Sequence, residues 1–104
     1  MLISKPYQPN DVLAFKLVTG EEVIAKLVSE TDDYYELSKP LTLIPTPQGM
    51  AMSQSLLSAD LKANNIRLNK NTVVMHSPVR ADINSEYIRG TTGIQPAPAS
   101  ALKL

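Results

Sequence analysis

The side chains that could carry out acid-base or nucleophilic chemistry are few in this sequence of 104 residues. His76 is the single histidine, and it has no reactive partner nearby in the sequence. Asp11, His76 and a serine could form a hydrolytic triad in principle, but no nucleophile elbow or glycine-rich oxyanion loop accompanies them. A lone histidine is more often a hydrogen-bonded structural residue. We therefore expect no catalytic residues and no enzymatic activity.

Acidic side chains form the second group, since carboxylates can bind divalent cations. Several lie close to turn-forming residues: Glu21, Glu22, Glu30, Asp32 and Asp33. The sequence contains no zinc motif with paired histidines, no calcium loop and no phosphate-binding loop. Solvated turn charges explain these carboxylates more simply, so we expect no metal site and no cofactor.

Two further groups have the residue types of a nucleic-acid contact. Tyr34 and Tyr35 follow an acidic turn, and Asn69-Lys70-Asn71 forms a polar turn between two strand-like segments. Aromatic rings stack on unpaired bases, and side-chain amides can bind base edges. Adjacent strand residues point to opposite faces, so one of the tyrosines should lie in the core or an interface. By default, Lys70 is a solvated charge and the asparagines are turn formers.

Charge and hydropathy limit the class of protein. Ten basic and ten acidic residues give a formal net charge of zero, so the chain cannot coat nucleic acid by charge alone, and any binding must be local. The sequence has no cysteine, which excludes a disulfide framework. No apolar run approaches the roughly 20 residues that span a bilayer, and the start lacks the apolar core of a signal peptide. We expect a soluble, cytoplasmic protein.

Short strands would position these groups. The pattern predicts strands at 12–18, 22–27, 34–44, 50–57, 66–68 and 72–76. Thr19-Gly20 interrupts the first two and indicates a turn, although a single helix from Val12 to Ser29 is a weaker alternative. Pro40 cannot donate a ladder hydrogen bond, so it should fall at a bulge or an unpaired edge. Two prolines and a glycine at 45–49 indicate a loop or hairpin tip.

In the last part of the chain, the spacing of the apolar residues changes. Apolar residues recur every four positions on one face: Val79, Ile83 and Tyr87. Ser77 is a good N-cap, Pro78 suits the first helical position, and Gly90 is well placed to end a helix. We predict one short helix at about 78–89, with a narrow apolar stripe that lies across the strands or against a neighbouring subunit.

A mainly β fold accommodates these elements. About five short strands make a small, strongly bent, five-stranded antiparallel barrel the economical choice, because closing the sheet hides most of its edges. The length fits a single domain, which we place at 1–94, with the helix at its C-terminal end. The remaining residues, 95–104, are rich in proline and small side chains and are expected to be a flexible tail.

The first hairpin resembles the first sequence motif of the Sm/LSm family. That motif places a glycine turn between apolar strand residues and ends in an acidic loop with an asparagine. Four residues match its pattern: Leu17, Gly20, Val23 and Leu27. Ala25 stands in place of a second glycine, and Glu36 in place of the asparagine. The layout of roughly 12–77 also looks like small Sm-like proteins encoded by marine cyanophages.

The second motif of the family has two candidate counterparts. Ile88-Arg89-Gly90 spells the Ile-Arg-Gly of eukaryotic and archaeal members, but the closing strand would then be polar and would end at a proline. It would also leave the helical pattern of Pro78 to Arg89 unexplained. We favour Leu68 to Val73, which resembles the Tyr-Lys-His turn of Hfq proteins.

The resemblance implies a homomeric ring of roughly five to seven subunits, formed by pairing edge strands. In such a ring the loop after the second strand and the turn before the last strand surround a central pore. Tyr34 or Tyr35 would then offer a stacking face, Asn69 and Asn71 their amides, and Lys70 a positive charge. The implied function is binding of single-stranded RNA or DNA, with RNA favoured, as a chaperone or processing accessory.

A second hypothesis belongs to another class. The ring could be a structural or protein-binding element in phage assembly or host takeover, without any nucleic acid. The neutral net charge and the acidic loops favour this alternative, because carboxylates near the site would repel phosphate. In either case the compartment would be the cytoplasm, of the host cell if a phage encodes the chain.

Overall fold

The structure, a computed structural model, describes residues 6–60 and 65–91. Its elements in chain order are β1 (Val12–Leu17), β2 (Glu22–Glu30), β3 (Tyr34–Thr46), β4 (Gly49–Gln54), β5 (Ile66–Asn69), a single 3-10 turn (Lys70–Thr72), β6 (Val73–Pro78) and α1 (Ala81–Thr91). The strands form one antiparallel sheet in the order β4-β3-β2-β1-β6, and β5 pairs with β3. The mainly β class with one helix is confirmed. The predicted tail, 95–104, lies outside the described residues.

The predicted closed barrel of five strands is wrong. β3 is 13 residues long and, besides β2, pairs with β4 along 41–46 and with β5 along 34–37, so the sheet has six strands among the described residues. β5 and β6 are consecutive in the chain, but the 3-10 turn between them redirects the backbone, and each pairs with a different strand. Across the described residues, the sheet is therefore open and has free edges.

The first hairpin forms as two strands, and the alternative helix from Val12 to Ser29 is absent. β1 and β2 pair in continuous register from Val12 opposite Lys26 to Lys16 opposite Glu22. Gly20 has a φ of +95°, a conformation that suits a residue without a Cβ, and its N–H donates to the Leu17 carbonyl at 2.9 Å. The Thr19-Gly20 turn therefore joins the two strands, as predicted.

A bulge bends the pairing of β2 with β3, at the position predicted from Pro40. Ile24 lies opposite Leu41 and Lys26 opposite Ser38, so Ala25 faces the two residues Lys39 and Pro40. Lys39 has a φ of +51°, and Pro40 has no N–H to lose from the ladder. The prediction that Pro40 lies at a bulge is confirmed.

The sheet buries apolar side chains on both faces, because alternate residues of β1 and β2 point in opposite directions. One cluster lies on the face opposite to α1: Leu13, Phe15, Ala25, Leu27, Tyr35 and Leu37. The other cluster contains Val12 and Ile24, and α1 covers it with Ile83 and Tyr87. The predicted apolar stripe of the helix therefore packs on the sheet.

The bounds of the helix differ from those predicted. Pro78 is the last residue of β6 and lies opposite Leu13, so the helix begins three residues later, at Ala81. It runs past Gly90 to Thr91, whose carbonyl accepts a 2.6 Å hydrogen bond from Lys39 Nζ. Within the described part of the chain, we find no helix with the length and apolar character needed to cross a membrane.

Candidate nucleic-acid interface

The pairing of β3 with β5 brings together the two segments that the sequence singled out. Tyr34 lies opposite Asn69, and Tyr35 lies opposite Leu68. At the end of this ladder, the Lys70 N–H donates to the Asp33 carbonyl at 2.9 Å. The acidic β2–β3 turn and the polar 3-10 turn are therefore neighbours, although some 35 residues separate them in the chain.

The two tyrosines point to opposite faces of the ladder, as strand alternation predicts. Tyr35 is only 5% exposed, and its ring packs on Phe15 with the centroids 4.8 Å apart. It belongs to the core and has no open face for a base. Tyr34 is half-buried on the outer face, so it is the only one of the pair that can contact a ligand from solvent.

Arg67 covers the Tyr34 ring. Its guanidinium carbon lies 5.0 Å from the ring centroid, within the range of a cation–π contact. Arg67 is exposed and lies diagonally across the ladder from Tyr34, two residues before Asn69 on the same face of β5. Sequence reasoning missed Arg67. The available signal was the alternation along Ile66 to Asn69, which places it beside Asn69.

Glu36 lies opposite Arg67 and belongs to the same outer face. Its Oε1 accepts a hydrogen bond from Ser29 Oγ at 3.3 Å, and its Oε2 accepts one from Asn65 Nδ2 at 2.9 Å. These neutral donors hold the carboxylate in place without neutralising it. The outer face therefore contains the cation of Arg67 and the anion of Glu36 at opposite positions of the ladder.

Lys70 is held by a carboxylate. Its Nζ lies 2.6 Å from Glu30 Oε2, and the two side chains are 29% and 38% exposed. The same ammonium lies 4.9 Å from the centroid of the Tyr35 ring. The hydrogen bond with Glu30 raises the pKa of Lys70, and the charges of Glu30 and Asp32 add to the shift. Asn69 and Asn71 flank this lysine and are exposed.

His76 has a structural partner. Tyr7 Oη and His76 Nδ1 share a 2.8 Å hydrogen bond, and the two rings meet edge to face with centroids 5.5 Å apart. Burial raises the pKa of Tyr7. The carboxylate of Asp11 instead accepts the Gln8 N–H at 2.9 Å. Asp11 and His76 therefore have separate partners and no triad geometry between them.

The carboxylates considered as metal ligands do not converge. Glu21 and Glu22 lie at the β1–β2 turn, whereas Asp32 and Asp33 lie at the β2–β3 turn. Within 6–60 and 65–91, no group of three or more histidine, aspartate or glutamate side chains could hold a metal ion. Thr19 Oγ1 donates to Glu21 at 3.1 Å, which is an ordinary turn contact.

The site thus combines an outer face, with Tyr34, Arg67 and Asn69, and a rim at the 3-10 turn, with Lys70 and Asn71. We use the name Tyr34–Arg67 face for the first of these. Neither the models of known protein families nor the curated proteins gave a match to this chain.

Proposed function

We propose that this protein binds single-stranded nucleic acid on the Tyr34–Arg67 face, and that copies of the chain assemble through the free edges of the sheet. The observation that carries the proposal is the contact of the exposed Arg67 guanidinium with the Tyr34 ring. A planar cation that already lies on an aromatic ring offers its outer side as a platform for an unpaired base.

The neighbouring side chains support base recognition. Asn69 and Asn71 are exposed and carry amides that can both donate to and accept from base edges. Stacking of one base is worth roughly 1–3 kcal/mol and tolerates any sequence. A single site of this kind is weak, and the formal net charge of zero adds no general attraction for phosphate. Repetition of the site around an oligomer would strengthen binding by avidity.

The sheet offers a route to that oligomer. β4 and β6 are the two ends of the strand order, and each has one edge without a neighbouring strand among the described residues. Val74 and Met75 of β6 are 55% and 65% exposed, an unusual exposure for apolar strand residues. Pairing of β4 in one copy with β6 in the next would cover both edges and generate the ring that the Sm/LSm resemblance implies.

Binding is tested by fluorescence anisotropy of labelled oligo(U), oligo(A) and oligo(dT), titrated with the protein at two salt concentrations. We expect saturable binding that weakens at the higher salt concentration. Replacing Arg67 with alanine should raise the Kd by about fivefold or more, because stacking of one base is worth at least roughly 1 kcal/mol. Arg80→Ala is the matched control, since Arg80 is an exposed arginine that precedes α1 and pairs with Asp82 in the first turn of the helix.

Assembly is tested separately by light scattering after size-exclusion chromatography. We expect a single oligomer for the wild-type chain and smaller species for the double variant Val74→Lys/Met75→Lys, because charged residues on an edge oppose strand pairing. Val18→Lys adds a charge at another exposed apolar position, outside the strands, and should leave the oligomer intact. A wild-type monomer would exclude the ring and leave the binding face to be judged by the titrations alone.

The second candidate function is a ring that holds another protein. After β4, Leu56 and Leu57 are 48% and 79% exposed, and neighbouring exposed leucines are typical of a protein-binding surface. A pull-down from nuclease-treated lysate tests it. A stoichiometric partner that is lost with Leu56→Ser/Leu57→Ser, together with the absence of oligonucleotide binding, would favour this function over the first.

A further inference from the structure

Lys70 follows Asn69 in the chain, but its ammonium lies over the Tyr35 ring, on the opposite side of the β3–β5 ladder from the Tyr34–Arg67 face, and its charge is already engaged there. Its Nζ donates to Glu30 Oε2 at 2.6 Å and lies 4.9 Å from the centroid of the Tyr35 ring. The backbone at Lys70 is fixed by the bond from its N–H to the Asp33 carbonyl. Any change in the partner of this ammonium must therefore come from side-chain rotation at Lys70 or at Glu30.

A carboxylate oxygen and a phosphate oxygen are equivalent acceptors for an ammonium group. We propose that Glu30 is an internal competitor, which occupies at Lys70 the position of a backbone phosphate and must give way when a single strand binds. This inference rests on the proposed function and adds a regulatory contact to it. Glu30 thereby lowers the affinity of the site for the strand. A phosphate contact at Lys70 is then not sufficient for binding by itself.

The energy scale permits such an exchange. The two side chains are 29% and 38% exposed, and ion pairs of this kind are worth only about 0–1 kcal/mol in water. A phosphate can thus replace Glu30 at little cost. The strand must nevertheless break the bond between Lys70 and Glu30 before its phosphate can bind the ammonium, and this loss reduces the affinity. Removal of the Glu30 charge should therefore increase affinity.

A double-mutant cycle tests the competition, with labelled oligo(U) as the probe. We expect Glu30→Gln to lower the Kd by about two- to fivefold, the range that corresponds to an exposed ion pair. Lys70→Gln should raise the Kd, and Glu30→Gln should give a much smaller gain when Lys70 is already glutamine. Glu21→Gln is the matched control, because it removes another exposed carboxylate from the β1–β2 turn, at the opposite end of β2 from Glu30, and should leave the Kd nearly unchanged.

The outcomes separate this inference from the proposed function. If the wild-type chain binds and Glu30→Gln does not bind more tightly, the competition is overturned and the binding function stands. An equal gain in the Lys70→Gln background, or in Glu21→Gln, would also overturn it, because general charge repulsion would then be the cause. If no variant binds any oligonucleotide while circular dichroism shows all to be folded, the proposed function fails and this inference fails with it.

Discussion

Two regions of the molecule use tyrosine in opposite ways. At the β2–β3 bulge, the Tyr87 phenol is 1% exposed and bonded to three backbone groups: the N–H of Lys26 at 3.1 Å and the carbonyls of Ser38 and Lys39 at 2.8 and 2.9 Å. At the β3–β5 end, the aromatic rings instead have cationic side chains as neighbours. Arg67 covers Tyr34, and Lys70 lies over Tyr35.

The difference separates a structural polar site from one that can exchange partners. Backbone groups left unpaired by a bulge must be satisfied, and the Tyr87 hydroxyl is the group that satisfies them. The cations at the β3–β5 end are exposed or partly exposed, so water or a ligand can take their place. We therefore expect mutations at the bulge to change stability, and mutations at the β3–β5 end to change binding.

The largest effect is expected at Tyr87. Tyr87→Phe keeps the ring in the core but leaves buried backbone groups without their partner, which should lower the free energy of unfolding by about 1–3 kcal/mol. Urea denaturation followed by circular dichroism measures the change. Tyr34→Phe removes the same hydroxyl from a half-buried ring and should lie within about 0.5 kcal/mol of the wild type. Equal effects of the two variants would contradict the comparison.

The second expected effect is a loss of stability in alkali. Burial raises the pKa of Tyr87 from 10.0 to about 12. Since the folded state disfavours the charged phenolate, the stabilisation is complete below pH 10.0 and is lost as the pH rises towards 12. The unfolding midpoint in urea should fall across this window, and more steeply for the wild type than for Tyr87→Phe. Parallel slopes for the two proteins would show that other groups cause the loss.

The smallest effect compares two lysines, each with a 2.6 Å hydrogen bond. Lys39 Nζ binds the carbonyl of Thr91 at the end of α1, where a cation also favours the helix dipole, whereas Lys70 Nζ binds the exposed Glu30. Lys39→Met should lower the free energy of unfolding by about 0.5–1.5 kcal/mol, and Lys70→Met by less than about 1 kcal/mol. Only Lys70→Met should weaken oligonucleotide binding. A reversed order in either measurement would contradict the division into structural and binding regions.

Local patterns in the sequence predicted much of the fold. Alternation and turn residues located the strands, and Pro40 located the bulge because a residue without an N–H cannot continue a ladder. The apolar stripe of α1 could be predicted because apolar residues recur every four positions in that part of the sequence. The start of α1 could not be predicted in this way, because β6 extends to Pro78 through its pairing with Leu13, a residue distant in the sequence. The open sheet depends in the same way on long-range pairing.

For the candidate site, too, local sequence patterns predicted some of the residues, and long-range pairing determines the others. Residue types drew attention to Tyr34 and to the Asn69-Lys70-Asn71 turn, and the β3–β5 register makes them neighbours. The contacts of Arg67 and Glu30 were not visible, because each depends on a register or on a turn that brings distant residues together. The proposed binding depends on Arg67, and its proposed regulation depends on Glu30.

The most direct test of the central claim is photocrosslinking of the wild-type protein to a thiouridine-containing oligonucleotide, with the crosslinked peptides identified by mass spectrometry. We expect crosslinks in the segments 30–36 and 65–72, which form the Tyr34–Arg67 face and its rim, and we expect unlabelled oligonucleotide to compete them away. Crosslinks confined to α1 or to the β1–β2 turn, or no crosslink at all, would contradict the claim that single-stranded nucleic acid binds at this end of the sheet.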